Sequence, residues 1–136
     1  MRFPKQAYPH SEITEQIIGA SMRVHSVLKS GLVEKIYENA LCVELAHMGI
    51  AYSQQQAFQV HYREQLVGKL VPDLLVASVV IVDTKCVSEL NSNHVSQMLS
   101  YLSVTGMEVG LVINFRNKSL EFKRIARSDN LGAHMP

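Results

Sequence analysis

Val79-Val80-Ile81-Val82-Asp83-Thr84-Lys85, with Pro72-Asp73 ten residues ahead of its aspartate, is the stretch from which the rest of this chain can be read. Its β-branched run, nearly continuous with Leu74-Leu75-Val76, matches strands covered on both faces. Asp83 emerges directly from that run, where an unpaired charge is costly unless a metal ion or a lysine offsets it. Side chains alternate along a strand, so Asp83 and Lys85 share a face and Thr84 points away. Two neighbouring strands would bring Asp73 beside Asp83, and such a carboxylate pair can share a hard cation, Mg²⁺ or Mn²⁺, that keeps several waters. Lys85 would then hold or activate the attacking water. The plainer alternative is a solvated sheet edge carrying an acid and a lysine.

On either side of this stretch the period changes. Upstream, Ile13, Ile17, Ala20, Val24 and Val27 or Leu28 fall close to helical spacing, with Ser11 as the expected cap. After Lys29-Ser30-Gly31, helical spacing resumes through Val33, Ile36, Tyr37, Ala40, Leu41 and Leu45, and Gly49 closes it as a terminal left-handed glycine would. Period two follows. Ala57, Phe58, Val60 and Tyr62 predict a strand, Arg63-Glu64-Gln65 a turn, and Leu66 onward the returning strand, with Pro72-Asp73 partway along this extended hairpin. Ala77-Ser78 is the tight connection into the Val79 strand. Residues 91–103 return to helical spacing, and 109–115 and 120–125 read as strands joined by a turn at Arg116-Asn117-Lys118.

The resulting order is ααβββαββ. A single helix between the Val79 and Val109 strands has the length of a right-handed crossover joining parallel strands. The expected class is therefore α/β, a mixed central β-sheet flanked by helices. It occupies one domain over residues 12–126, with an N-terminal arm at 1–11 and a loose tail at 127–136.

Composition narrows the function classes. A chain of 136 residues with 47% hydrophobic content can build one continuous core. No apolar leader follows Met1–His10, and the longest apolar run falls short of the roughly 20 residues a membrane helix needs. A soluble, cytoplasmic protein without membrane contact is expected. Cys42 and Cys86 lack metal-binding or disulfide spacing, and Cys42 sits in a helical apolar pattern where a buried reduced thiol is ordinary. A net charge of +1 creates no global field for nucleic acid, so any such binding must rest on a local patch.

Further candidates lie on the helices. Gln97 and Tyr101, at i and i+4, share a face with His94. They read either as an exposed glutamine beside a half-buried tyrosine, or as a pair that bonds substrate phosphate or metal-bound water. Glu34 opens the second helix, with Tyr37 and Glu38 one turn on. It can serve the helix dipole, worth roughly 0.3–1 kcal/mol, or join the aspartates as a third metal-site carboxylate. His25 is a weaker candidate, since packed or solvent-facing histidines are commoner than ligands.

Taken together, these residues resemble the bacterial and archaeal family named after its GxxExxY signature, which is similar to the PD-(D/E)xK nuclease superfamily. The signature reads Gly31-Leu32-Val33-Glu34-Lys35-Ile36-Tyr37. Val24-His25, the Tyr62 strand, Asp73-Leu74-Leu75-Val76, Asp83-Thr84-Lys85, Gln97 with Tyr101-Leu102, and Gly110 to Phe115 follow in order, so the resemblance spans about residues 13–126. It implies that Asp73 and Asp83 are metal ligands, Lys85 the catalytic lysine, Glu34 the helix carboxylate, and Gln97 with Tyr101 the Q-x-x-x-Y pair. Lys29 stands where the family tends to have glycine, Asp83 where it tends to have glutamate, and Thr84 and Cys86 where leucine and alanine are usual.

The leading expectation is a Mg²⁺-dependent nuclease that hydrolyses phosphodiester bonds, with nucleic acid, DNA in first place, as the partner. The cations that would contact phosphates are scattered: Lys29, Lys35, Arg63, Lys69, Arg116, Lys118, Lys123 and Arg124. A homodimer would align them into a groove. The alternative is a catalytically inactive module of the same fold that binds nucleic acid or a protein partner.

Overall fold

The computed structural model describes residues 9–127. The expected arm before residue 9 and the tail after 127 lie outside these residues. Two helices come first, α1 (Ser11–Leu28) and α2 (Glu34–His47). Five strands follow: β1 (Tyr52–Gln54), β2 (Phe58–Tyr62), β3 (Gln65–Leu70), β4 (Leu74–Val76) and β5 (Val80–Lys85). Helix α3 (Ser92–Thr105) and strands β6 (Val109–Asn114) and β7 (Glu121–Ala126) complete the order.

The main sheet has five strands in the order β1-β4-β5-β6-β7, so its edges are β1 and β7; β2 and β3 form a separate two-stranded sheet. Strands β5 and β6 pair in parallel, with Lys85 opposite Asn114, and the other pairs are antiparallel. The expected crossover through α3 is therefore present. Two readings are corrected. The returning hairpin strand does not run through Pro72-Asp73: β3 stops at Leu70 and β4 begins at Leu74 in the other sheet. Proline has no N–H for a ladder, so the chain changes sheets there. Strand β1 has no sequence signal, because its three residues are all exposed and show no alternation.

Alternation along the central strands builds two core layers. Leu74, Val76, Val80 and Val82 pack with Ile17, Val24, Tyr37, Leu41 and Leu45 of α1 and α2. Leu75, Ile81 and Val112 face the other way onto Met98 and Leu102 of α3. Both faces are covered, which is why the run carries no polar alternation.

Helix ends position the loops. α2 ends in a Schellman motif: Ile50 N–H donates to Leu45 O at 2.9 Å, Gly49 N–H donates to Ala46 O at 3.0 Å, and Gly49 has φ of 75°. α3 opens with Asn91 accepting from the Asn93 and His94 N–H groups, while His94 Nδ1 accepts from Asn91 N–H at 3.0 Å. His94 is thus a capping residue. Ser11 lies inside α1 rather than capping it; His10 holds the cap position in a left-handed conformation.

Candidate active site

The site forms where β4 and β5 run out. Leu74 pairs with Val82, so Asp73 stands one step further along, opposite Asp83. The Asp73 N–H donates to Asp83 Oδ1 at 3.1 Å. Asp73 Oδ2 accepts from the Thr84 N–H at 2.8 Å and from the Thr84 hydroxyl at 2.9 Å. The Asp73 carboxylate therefore occupies the place a strand carbonyl would take, holding the end of β5. Asp83 Oδ2 accepts no hydrogen bond among the described residues.

Asp83 is only 5% exposed. Burial, reinforced by the charges of Asp73 and Glu34, pushes its carboxyl up to about 6, against the opposing effects of the Asp73 N–H and of Lys85. Burial also raises Asp73, with Glu38 adding to it and the Thr84 bonds opposing it. Glu34 is raised by burial and by Asp73, with Lys85 and the Cys86 N–H opposing. All three acids thus stand in a field that disfavours their charge and would be relieved by a cation. Hard carboxylate oxygens suit Mg²⁺ or Mn²⁺, which one or two carboxylates, waters and substrate oxygens commonly hold. Among the described residues, however, no three His, Cys, Asp or Glu side chains form a ready-made cage. The fit is to an aspartate pair with Glu34 at its margin.

Lys85 follows Asp83 on the same face. It makes no ion pair among the described residues; its ammonium donates to Gln97 Oε1 at 3.1 Å, and Gln97 Nε2 donates to the Tyr101 hydroxyl at 3.3 Å. Burial and then the charges of Asp83 and Asp73 raise the Tyr101 phenol, so this chain of bonds leads back towards the acids. The six candidate residues are accordingly brought to one end of the sheet. His25 is not among them: its Nε2 meets Asn117 O at 2.8 Å and its ring tilts against Phe115.

The Gly31–Tyr37 segment acquires a physical role. Tyr37 is fully buried, stacks on Phe115 at 4.8 Å, donates its hydroxyl to Lys29 O and accepts from Leu32 N–H at 3.1 Å. This ties down the loop that delivers Glu34. Gly31 has φ of 112°, which side chains rarely adopt.

Sequence reasoning missed a second group. Glu38, 2% exposed, accepts at Oε2 from Lys35 at 3.0 Å, Gln54 at 2.7 Å and Gln55 at 2.9 Å. Burial opposes the charge of Glu38, yet these donors prevail and its carboxyl is lowered. Gln55 also reaches Asp73 Oδ1 at 3.4 Å. The available signal was spacing, since Glu38 lies four residues after Glu34 on the same helix face. Strand alternation points the Thr84 side chain away from the Asp83 face. The Asp73 carboxylate reaches it nonetheless, accepting from both its N–H and its hydroxyl.

A family model for the PD-(D/E)XK nuclease superfamily matches residues 11–125. The chain belongs to the PD-(D/E)XK nuclease superfamily. Two solved structures are similar to this superfamily member. One is an alkaline exonuclease, LHK-Exo, from Laribacter hongkongensis, with 15% identity, 88% of this chain and 86% of that chain covered, and a TM-score of 0.49. The other is LHK-Exo in complex with dAMP, with 14% identity, coverage of 83% and 79%, and a TM-score of 0.50. At 14% identity the second likeness concerns the fold alone. No curated protein sequence matches the chain, and no helix among the described residues is long and apolar enough to cross a membrane.

Proposed function

We propose that this protein is a divalent-metal-dependent nuclease that hydrolyses phosphodiester bonds of nucleic acid. The observation that carries this reading is the Asp73–Asp83 junction at the ends of two strands, with Lys85 beside it and Asp83 Oδ2 left open. Superfamily membership supports the reaction class and the use of a divalent ion.

Asp73 and Asp83 would hold the cation, with Glu34 available through water. When bound, that ion would polarise the phosphate and lower the pKa of a coordinated water. Thr84 fixes the Asp73 carboxylate through two donors, and Asp73 N–H fixes Asp83, so the pair needs little rearrangement. Gln97 holds the Lys85 ammonium at 3.1 Å and Tyr101 fixes Gln97 in turn. Lys85 is thereby aimed at charge developing on a phosphoryl oxygen, where a preorganised cation is most effective.

Cleavage of labelled single- and double-stranded DNA and RNA, with Mg²⁺, Mn²⁺ or chelator, tests the reading. Metal-dependent cleavage lost in Asp73→Asn, Asp83→Ala and Lys85→Ala supports it. The shorter Asp83, standing where glutamate is usual, favours one alternative, a non-cleaving binding module of the same fold. That alternative predicts nucleic-acid binding with no metal-dependent product.

A further inference from the structure

Strands β5 and β6 are parallel, so their carboxyl ends open onto one edge of the sheet. At that edge three loops are tied together. The Phe115 N–H donates to Lys85 O at 2.9 Å, which sets Arg116 just past the lysine of the candidate site. Asn117 then works as a keystone: its carbonyl meets His25 Nε2 at 2.8 Å, and its Nδ2 donates to Ser88 O at 2.8 Å. His25 lies one helical turn before Lys29, whose N–H donates to His25 O. Lys29, Arg116 and Lys118 are therefore gathered from the α1–α2 and β6–β7 loops beside the catalytic face. All three are exposed, and none forms an ion pair among the described residues. Burial and the charge of Glu34 raise the Cys86 thiol, the residue after Lys85, and Arg116 opposes them from within reach of the site. Among the nearby acids Glu34 faces the candidate cation site, Glu121 accepts from Leu90 N–H and Asn114 Nδ2, and exposed Glu89 adds one negative charge.

Three exposed cations held on interlocked loops beside the candidate site offer a complementary surface to a polyanion. We infer that Lys29, Arg116 and Lys118 form the wall that grips the phosphate backbone of the nucleic-acid substrate, an inference that rests on the reaction proposed above. The wall answers the near-neutral overall charge, because local concentration of cations replaces a global field. It carries no base-reading groups, so it positions a strand rather than selecting a sequence.

Binding of fluorescein-labelled single-stranded DNA, duplex DNA and RNA, measured by anisotropy in chelator across a salt series, tests this without cleavage. Each neutralised phosphate contributes about 0.9 to the log K against log salt slope for duplex and about 0.7 for single strands. Lys29→Gln/Arg116→Gln/Lys118→Gln should lower the slope by about 2.7 or about 2.1 respectively. Arg23→Gln, a cation paired with Glu44 on the helical face, should leave it unchanged. An unchanged slope in the triple variant, an equal loss in Arg23→Gln, or a wild type that binds no nucleic acid overturns the inference. Wild-type cleavage with Mn²⁺ is scored separately. If the wild type binds but never cleaves, the nuclease reading fails while the slope still decides the wall.

Discussion

Replacing Asp83 by asparagine in the metal-free protein should make it more stable at neutral pH. Asp83 is buried, and its carboxyl is pushed from the ordinary 3.8 up to about 6, burial being the largest cause. Moving a carboxyl that far corresponds to about 3 kcal/mol, at 1.36 kcal/mol for each tenfold change in proton affinity. Below the unfolded value both states hold the proton and nothing is lost. Between about 4 and about 6 the native state keeps a proton that the unfolded chain has released, so stability falls as pH rises; above about 6 the full penalty is present. Asparagine removes the charge and keeps an oxygen for the Asp73 N–H. In chelator at pH 7.5, Asp83→Asn should therefore gain up to about 3 kcal/mol, or several degrees in Tm. The gain should shrink as the wild type is protonated towards pH 4. Chemical and thermal melts of both proteins at pH 4.5, 6 and 7.5 read this directly. If Asp83→Asn is less stable than the wild type at pH 7.5 in chelator, the charge is held favourably by the fold, and the picture of an acid waiting for a cation is wrong.

Four further outcomes are expected. Saturating Mg²⁺ or Mn²⁺ should raise the wild-type Tm, by the equivalent of about 2.7 kcal/mol at a hundred times Kd, and should leave Asp83→Asn unmoved; equal shifts in both would place binding elsewhere. Thr84→Val removes one of two donors to Asp73 Oδ2 and should cost about 1 kcal/mol in chelator melts and lower cleavage, whereas unchanged cleavage would mean the backbone N–H suffices. Lys29→Gly should stabilise by about 1 kcal/mol in denaturant unfolding, because Lys29 has φ 61° and ψ −175°, a region suited to glycine. Gly110→Ala should destabilise by roughly 1–3 kcal/mol, since an added Cβ would lie 2.2 Å from Met98 Sδ, and the same change should cost less in a Met98→Ala background, which is itself destabilised by about 2–5 kcal/mol.

Much of the fold was legible because burial on both faces leaves a chemical record. Val79 to Val82 and Val109 to Phe115 announced central strands, and a helix of the right length between them announced parallel pairing. That neighbouring strands could set Asp73 beside Asp83 was legible from their spacing, and the left-handed residues of the Ala77-Ser78 turn do connect β4 to β5 in that register. Strand β1 and the sheet change at Pro72 were not legible, because an exposed three-residue edge strand has no pattern and a break between two strands looks like a kink in one. Within the candidate site, carboxylates and lysine could be named from type and spacing. Thr84 and Gln55 could not, since their bonds to Asp73 depend on how its carboxylate lies across the end of β5. Glu38 was within reach through its spacing from Glu34, yet its burial is a tertiary fact.

The edges of the sheets bear on self-association. The five-stranded sheet ends at β1, only three residues long, and at β7, which carries Glu121, Lys123 and Arg124. Shortness on one side and charge on the other discourage a second chain from adding a strand. The β2–β3 ribbon is less guarded, with Tyr62 66%, Leu66 59% and Val67 60% exposed. Its remaining defences are Lys69 and the register shift between Val60 and His61 that twists the ribbon. Aggregation at high concentration should therefore begin at this ribbon, and lysine in place of Val67 would suppress it.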